Sequence, residues 1–356
     1  MTTSLEPSTS YELIEELLNR SGVITNRDLC SAMITTALNM GASQSERLDL
    51  KIAGAALEEM AEAFKLFQPF RSYPKVTFFG SARTKNDDPL YARARSLAGI
   101  MASHGWMVVT GAGPGIMAAA TEGAGRDMSI GVNIRLPFEQ GANQFIAADS
   151  KLVEMRYFFT RKLMLMKESN AYVVMPGGFG TLDESFELLT LLQTGKAQPA
   201  PVVFLDTDES GYWDGWRHFL DKHVIADKNY VDEEDTNLFT ITSSVEEAAS
   251  NLLGFYRNYH SLRWVGDLLV LRMKILPTQE ELHRLNDSFG DICIQGRIHV
   301  TKPLPPERHD QDCLDLPRLA FKFDRLHYGR LRLLIDALNN ISALQELSPS
   351  EMSRDQ

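Results

Sequence analysis

Nine consecutive residues, Pro176-Gly-Gly-Phe-Gly-Thr-Leu-Asp-Glu184, concentrate the residue types that could do chemistry. Three glycines, Gly177, Gly178 and Gly180, allow a tight backbone loop that ordinary side chains would obstruct. Thr181 opens a helix whose apolar positions Leu182, Phe186, Leu189 and Leu192 share one face. In front of the loop, Tyr172 to Met175 is a short apolar run rich in β-branched residues and reads as a buried strand. A strand, a glycine loop and a helix N-terminus in that order form an anion site, because the unpaired N–H groups and the positive dipole end face the loop. The loop is therefore expected to hold a phosphate. Thr181-x-x-Glu184 also has the spacing of a capping box, in which Glu184 only satisfies the helix start. A capping box needs no three glycines before it, and the strand–loop–helix setting favours a ligand.

Two further strands end in glycine: Lys75–Phe79 at Gly80-Ser81, and Trp106–Thr110 at Gly111-Ala-Gly113-Pro-Gly115. The second loop stands where a dinucleotide fingerprint would lie, but Ile116 occupies its sixth position and the next strand ends Asn133-Ile-Arg135 without an acid for a ribose. It reads as a turn that lets a nucleotide approach the backbone, not as an NAD site. Three such ends on one sheet make a nucleotide-sized pocket the expectation. Arg156, Arg161 and Lys162 lie in an otherwise apolar run with Tyr157, Phe158, Phe159, Leu163 and Met164, which reads as a largely buried helix. A guanidinium there wants a fixed anion, with Asp149, Glu154, Glu168, Glu184 or a bound phosphate as candidates. No metal-ligand spacing occurs among the eight histidines, and no nucleophile elbow or Cys–His pair stands out. His104 fits a helix C-terminus beside the macrodipole.

The elements that position these residues alternate. After Lys75–Phe79 come helix 89–103, strand 106–110, helix 116–126 and strand 130–134. A long helix capped by Asp149 or Ser150 then runs through Glu168 into the strand at 172–175, followed by strand 201–205 and helices 212–223 and 245–259. Such alternation predicts an α/β fold with a doubly wound, Rossmann-like parallel sheet, binding ligands beyond the carboxyl ends of its strands. Residues 1–70 read as a helical extension with stripes at Leu13, Leu17 and Leu18 and at Leu57, Met60, Phe64 and Phe67, broken near Asn39 and Gly41. Residues 71–260 are expected to form a Rossmann-like nucleotide-binding domain that carries the site. Residues 261–345 follow a β-α-β-β-α order that suggests a small α+β domain, and 346–356 form a polar tail.

At 356 residues with 44% hydrophobic content, two or three soluble units are expected. A net charge of −11 argues against a general nucleic-acid surface. Cys30, Cys293 and Cys313 are scattered and fit buried thiols in a reducing compartment, and the polar start and lack of long apolar runs make a cytoplasmic, membrane-free protein the expectation.

Taken together these residues resemble the LONELY GUY family, also called lysine-decarboxylase-like proteins. The family signature PGGxGTxxE is matched by Pro176–Glu184 without departure, its upstream Arg-Lys by Arg161-Lys162, and its first glycine loop by Gly111–Met117. The similarity spans roughly Lys75 to Asp206, a little over a third of the chain. The resemblance implies a phosphoribohydrolase that splits nucleoside 5′-monophosphates, cytokinin nucleotides among them, into free base and ribose 5-phosphate. It makes Arg161 and Glu184 catalytic, and gives Lys162 and the Gly177–Thr181 loop to substrate. It also implies a homodimer or higher homo-oligomer with sites near the subunit interface, and no metal or cofactor. A non-catalytic nucleotide sensor or carrier on the same sheet edge is the alternative. The extension before Arg71 and the domain after Ser261 depart from compact family members and have no assigned role in the family pattern.

Overall fold

The computed structural model describes residues 7–136, 141–226, 228 and 230–345, so the polar tail expected over 346–356 lies outside the described residues. The chain divides into two compact units, Met1–Ala61 and Glu62–Gln356. Within the first, α1 (Pro7–Arg20) and α2 (Arg27–Ala42) precede α3 (Arg47–Phe67), which continues into the second unit. Arg27 ties α2 to α1 through Glu15 at 2.6 Å. Of the expected stripes, Leu18 and Phe67 are buried, whereas Leu13, Leu17, Leu57 and Phe64 are exposed.

The second unit is built on seven parallel strands: β1 (Lys75–Phe79), β2 (Met107–Thr110), β3 (Ser129–Ile134), β4 (Leu152–Met155), β5 (Ala171–Val174), β6 (Val202–Leu205) and β7 (Thr240–Thr242). β1, β2, β5 and β6 are buried along their whole length, as strands covered by helices on both faces must be. Their crossovers carry α4 (Pro89–Ser103), α5 (Ile116–Ala124), α6 (Phe158–Lys167), α7 (Phe179–Gln193) and α8 (Tyr212–Phe219), and α9 (Val245–Gly254) follows β7. The order β4-β3-β2-β1-β5-β6-β7 reverses direction between β1 and β5, which makes that gap the switch point where ligands bind. The expected doubly wound α/β sheet is thus present. Asp88 caps α4 by accepting from Leu90 N at 2.8 Å, and His104 closes that helix as expected, Nδ1 lying 2.9 Å from the Ile100 carbonyl.

Three stretches differ from the sequence expectation. The long helix of 149–168 is instead strand β4, a turn and the shorter α6. Leu152–Met155 pairs with Gly131–Ile134, and four residues of edge strand leave little alternation to read. β7 is likewise only three residues long. The helix expected to reach Tyr259 ends at Gly254, and Tyr259 opens a further strand. The C-terminal region therefore runs β8 (Tyr259–Val265), β9 (Leu268–Met273), α10 (Gln279–Phe289), β10 (Cys293–Thr301), α11 (Pro305–His309), β11 (Arg318–Phe323) and α12 (Tyr328–Leu338), an antiparallel sheet in the order β10-β11-β9-β8. Compared with the expected β-α-β-β-α order, this run has one more strand, β8, and one more short helix, α11. Beneath it, Glu307 is fully buried between Arg272 and Arg318, at 2.7 and 2.6 Å. Cys30, Cys293 and Cys313 are free thiols, half-buried rather than buried.

Candidate active site

The three glycine-bearing loops end neighbouring strands, in the spatial order β2, β1, β5, and hydrogen bonds lace them together. Ser81 N donates to the Pro176 carbonyl at 3.1 Å, and Ile116 N donates to the Ser81 carbonyl at 3.0 Å. The glycines are required where the backbones meet. A Cβ on Gly80 would lie 2.7 Å from the Ile116 side chain, and one on Gly177 would lie 2.2 Å from Thr181 Oγ1. Gly113 faces Met117 just as closely, at 2.6 Å. Gly178 and Gly180 are different: nothing lies within 4 Å of where their Cβ atoms would sit, so the first turn of α7 is open on that side. Phe179, between them, is 94% exposed.

Helix α7 starts at Phe179 with Gly178 as its N-cap, two residues before the expected Thr181. That shift removes the capping-box reading, because Thr181 is already inside the helix and Glu184 does not return to the helix start. Its buried face is Thr181, Glu184, Ser185, Leu188 and Leu192, so the polar residues point inward while Phe186 is exposed. Ser185 satisfies its hydroxyl on the Thr181 carbonyl at 2.6 Å. Glu184 has no such local outlet. It is 6% exposed, its Oε1 lies 3.7 Å from Arg161 Nη1, and its Oε2 is buried without a hydrogen-bond partner.

Burial dominates the electrostatics of this carboxyl and pushes its pKa from 4.5 up to about 7, against the pull of Arg161 and Lys162. An acid with a pKa near working pH can both hold and release a proton, a property concentrated at functional sites. Arg161 reaches it from α6, fixed by a hydrogen bond from Nε to the Val132 carbonyl at 3.0 Å. Its guanidinium fills the space above Gly111, where a Cβ would lie 1.9 Å from Nη2. The helix around it is not largely buried, since Phe158, Phe159 and Leu163 are exposed. Of the candidate partners, Glu184 faces Arg161; Asp149 pairs with Arg126 and Lys151, Glu154 with Arg135, and Glu168 with Lys167.

Lys162, expected at the substrate, joins α6 to α7. Its ammonium bridges Asp183 at 2.8 Å and Glu187 at 2.7 Å. Burial opposes its charge, yet those two carboxylates hold its pKa above the ordinary lysine value. A lysine that must shed its proton to form a Schiff base needs the opposite environment.

Two residues at the site carried no sequence signal. Asn143 donates from Nδ2 to the Ala112 and Gly113 carbonyls, both at 3.0 Å, and its own N–H donates to the Ala112 carbonyl at 2.8 Å. Tyr212, at the start of α8, donates its hydroxyl to the Gly177 carbonyl at 2.7 Å. Each fixes a glycine loop from a segment distant in sequence.

Residues 115–252 match the family model described as "possible lysine decarboxylase". Over those residues the chain is similar to lysine-decarboxylase-like proteins of the LONELY GUY type. An Arabidopsis thaliana protein named as a probable cytokinin riboside 5′-monophosphate phosphoribohydrolase is 34% identical over 110 residues, covering 31% of this chain and 52% of that protein. The chain thus spans about half the length of that relative. A Mycobacterium marinum protein of the same named activity is 27% identical over 158 residues, covering 44% of this chain and 81% of that one. Among solved structures, a molybdenum cofactor binding protein from Rippkaea orientalis superposes with a TM-score of 0.34 at 20% identity, covering 49% of this chain and 93% of that one. The match leaves the N-terminal helices, β1, β2 and the antiparallel C-terminal sheet outside it.

Proposed function

We propose that the site hydrolyses the N-glycosidic bond of a nucleoside 5′-monophosphate, releasing free base and ribose 5-phosphate. The observation that carries this reading is the Glu184 carboxyl: buried, with Oε2 unpartnered, beside Arg161 and one turn inside a helix that begins at an open glycine loop. The 5′-phosphate binds at the N–H groups of the Gly178–Thr181 turn, where the helix dipole favours it. That anchor holds the anomeric carbon against Glu184. As the bond to the base lengthens, positive charge builds on the ribose, and the ionised carboxylate stabilises it and orients the attacking water. The water oxygen forms the new bond to the anomeric carbon, the electron pair of the broken bond leaves with the base, and the water's proton replaces the sugar on the base. Arg161 holds an oxygen or ring nitrogen of the substrate opposite Glu184.

The decarboxylase label is not favoured. Lysine decarboxylation calls for a cofactor such as pyridoxal phosphate on a deprotonated lysine, and Lys162 is held protonated by two acids. Incubation with a panel of purine and pyrimidine 5′-monophosphates should release base and ribose 5-phosphate, while the matching nucleosides fall at least ~100-fold in kcat/KM for want of the phosphate anchor. Tight nucleotide binding with no turnover on any member would instead make the protein a carrier or sensor.

A homodimer fits the same site. Phe158, Phe159 and Leu163 on α6 and Phe179 on the loop expose apolar surface beside Arg161 and Glu184, and a patch of that kind marks an interface. Light scattering should give the mass of at least two chains, with Phe159→Glu shifting it towards one; a monomer at all concentrations would refute the dimer.

A further inference from the structure

Between the parallel sheet and the C-terminal region lies a polar cavity of about 350 Å³, none of whose lining residues belongs to the glycine loops. Thr236 and Asn237 line it from the 3₁₀ turn Glu233–Leu238, Asn251 from α9, and Arg332, Asp336 and Asn340 from α12 and its end, with the exposed Arg257 at its rim. Arg332 is 7% exposed. Its Nε donates to both oxygens of Asp336 at 3.0 Å, and its guanidinium stacks on the Phe255 ring at 4.8 Å. Nη1 is buried without a hydrogen-bond partner. An orphaned guanidinium donor is rare in a folded interior and calls for an oxygen acceptor.

The charges around it do not cancel. Asp336 is the one acid among the lining residues, which include two arginines, Arg257 and Arg332, so the cavity has surplus positive charge in a chain whose net charge is −11. The asparagines supply the complementary groups. Asn237, Asn251 and Asn340 each donate one amide N–H, to the Glu234, Glu247 and Asp336 carbonyls at 2.8, 3.1 and 2.8 Å, and each carries an Oδ1 acceptor. Donors for an oxyanion on one side and acceptors for hydroxyl or amino groups on the other describe a small polar metabolite. We propose that this cavity binds an oxyanion-bearing metabolite with O–H or N–H donors, a phosphate ester or a hydroxycarboxylate, and that its occupancy acts on α7.

The route to α7 is short. Gln193, the last residue of α7, donates to Asp235 at 2.6 Å, and Asp235 immediately precedes Thr236 and Asn237 of the cavity wall. On the other wall, α12 meets the end of α7 where the Tyr328 hydroxyl fills the space of a side chain at Gly195, 1.9 Å from where its Cβ would be. A ligand that draws Arg332 towards itself therefore loads both contacts at the C-terminal end of the helix whose first turns carry Thr181 and Glu184.

Isothermal titration of the full chain with inorganic phosphate, glucose 6-phosphate and citrate tests the site without any assay of turnover. At least one should bind saturably, the comparison of the sugar phosphate with citrate naming the oxyanion. The charge reversal Arg257→Glu, at an exposed residue that leaves the fold alone, should weaken that binding at least tenfold. Binding of none of the three, or an unchanged affinity in Arg257→Glu, overturns the site. The effect on α7 rests on the proposed hydrolase reading and is read separately: saturating ligand should change kcat/KM for base release at least threefold in the wild type and not in Arg257→Glu. Unchanged kinetics with intact calorimetric binding would overturn the coupling and leave both the site and the hydrolase reading standing.

Discussion

Glu184→Gln should abolish most turnover while making the protein more stable at alkaline pH. The loss in kcat is expected at ~10²–10⁴-fold, the usual contribution of a positioned carboxylate to a reaction of this kind. The stability gain follows from burial. The carboxyl titrates near 4.5 when unfolded and at about 7 in the fold, because burial disfavours its charged form. Folding therefore retains a proton between those values. Below about pH 4.5 both states are protonated and nothing is lost; as pH rises through 7, the folded state must give up a proton it holds more tightly, and stability falls by about 3 kcal/mol in all. Glutamine carries no such charge, so thermal unfolding at pH 8 should occur several degrees higher in the variant, and the two proteins should converge near pH 4.5. The same titration sets the rate profile. Catalysis by the ionised carboxylate should make kcat/KM rise about tenfold per pH unit up to about 7 and then level off. Wild-type turnover in Glu184→Gln, or a rate that falls through pH 7, would end the role proposed for this residue.

The pattern Thr-x-x-Glu means opposite things at α10 and at α7. At α10, Thr278 is the N-cap, and Glu281 takes hydrogen bonds from the Thr278 and Ser342 backbones that bring its pKa down to about 2. At α7 the glycine loop lets the helix start two residues early, so Thr181 and Glu184 rotate onto the buried face and the carboxyl rises to about 7. Spacing alone could not separate these cases, because the difference lies in the register of the helix start. The strands that build the switch point were legible, since β1, β2 and β5 are short, mostly apolar runs with a glycine within three residues of their ends. β4 and β7 were not: at four and three residues, they are defined by pairing to β3 and β6, not by their own pattern. Arg161 was found because a charge in an apolar helix needs a partner, yet its partner lay on another helix. Asn143 and Tyr212 escaped notice because each acts on backbone carbonyls 30 or more residues away in sequence, a contact that leaves no trace in local composition.

Gly115→Ala should be strongly destabilising. Gly115 sits at φ +67° and ψ −130°, a backbone region closed to side chains. Its Cβ would lie 2.2 Å from the Ser81 carbonyl oxygen and 2.7 Å from the Ala82 carbonyl carbon. Both are backbone atoms, so neither can swing away as a flexible side chain would. The strained conformation costs about 1–3 kcal/mol and the overpacking a similar amount, together about 4 kcal/mol out of the ~5–15 kcal/mol available to a typical domain. The methyl also forces apart the hydrogen bond from Ile116 N to the Ser81 carbonyl that joins two of the glycine loops. Gly111→Ala is the matched control. There the intruding Cβ meets Arg161 Nη2 at 1.9 Å, the far end of a long side chain, so unfolding should change little while base release falls at least ~100-fold as the guanidinium leaves Glu184. Denaturant unfolding and base release measured on both variants separate the two roles: one glycine allows the loops to meet, and the other leaves room for the arginine. Wild-type stability in Gly115→Ala would mean that the three loops are not held by this contact, and full activity in Gly111→Ala would mean that the seat of Arg161 over that loop does not matter to the reaction.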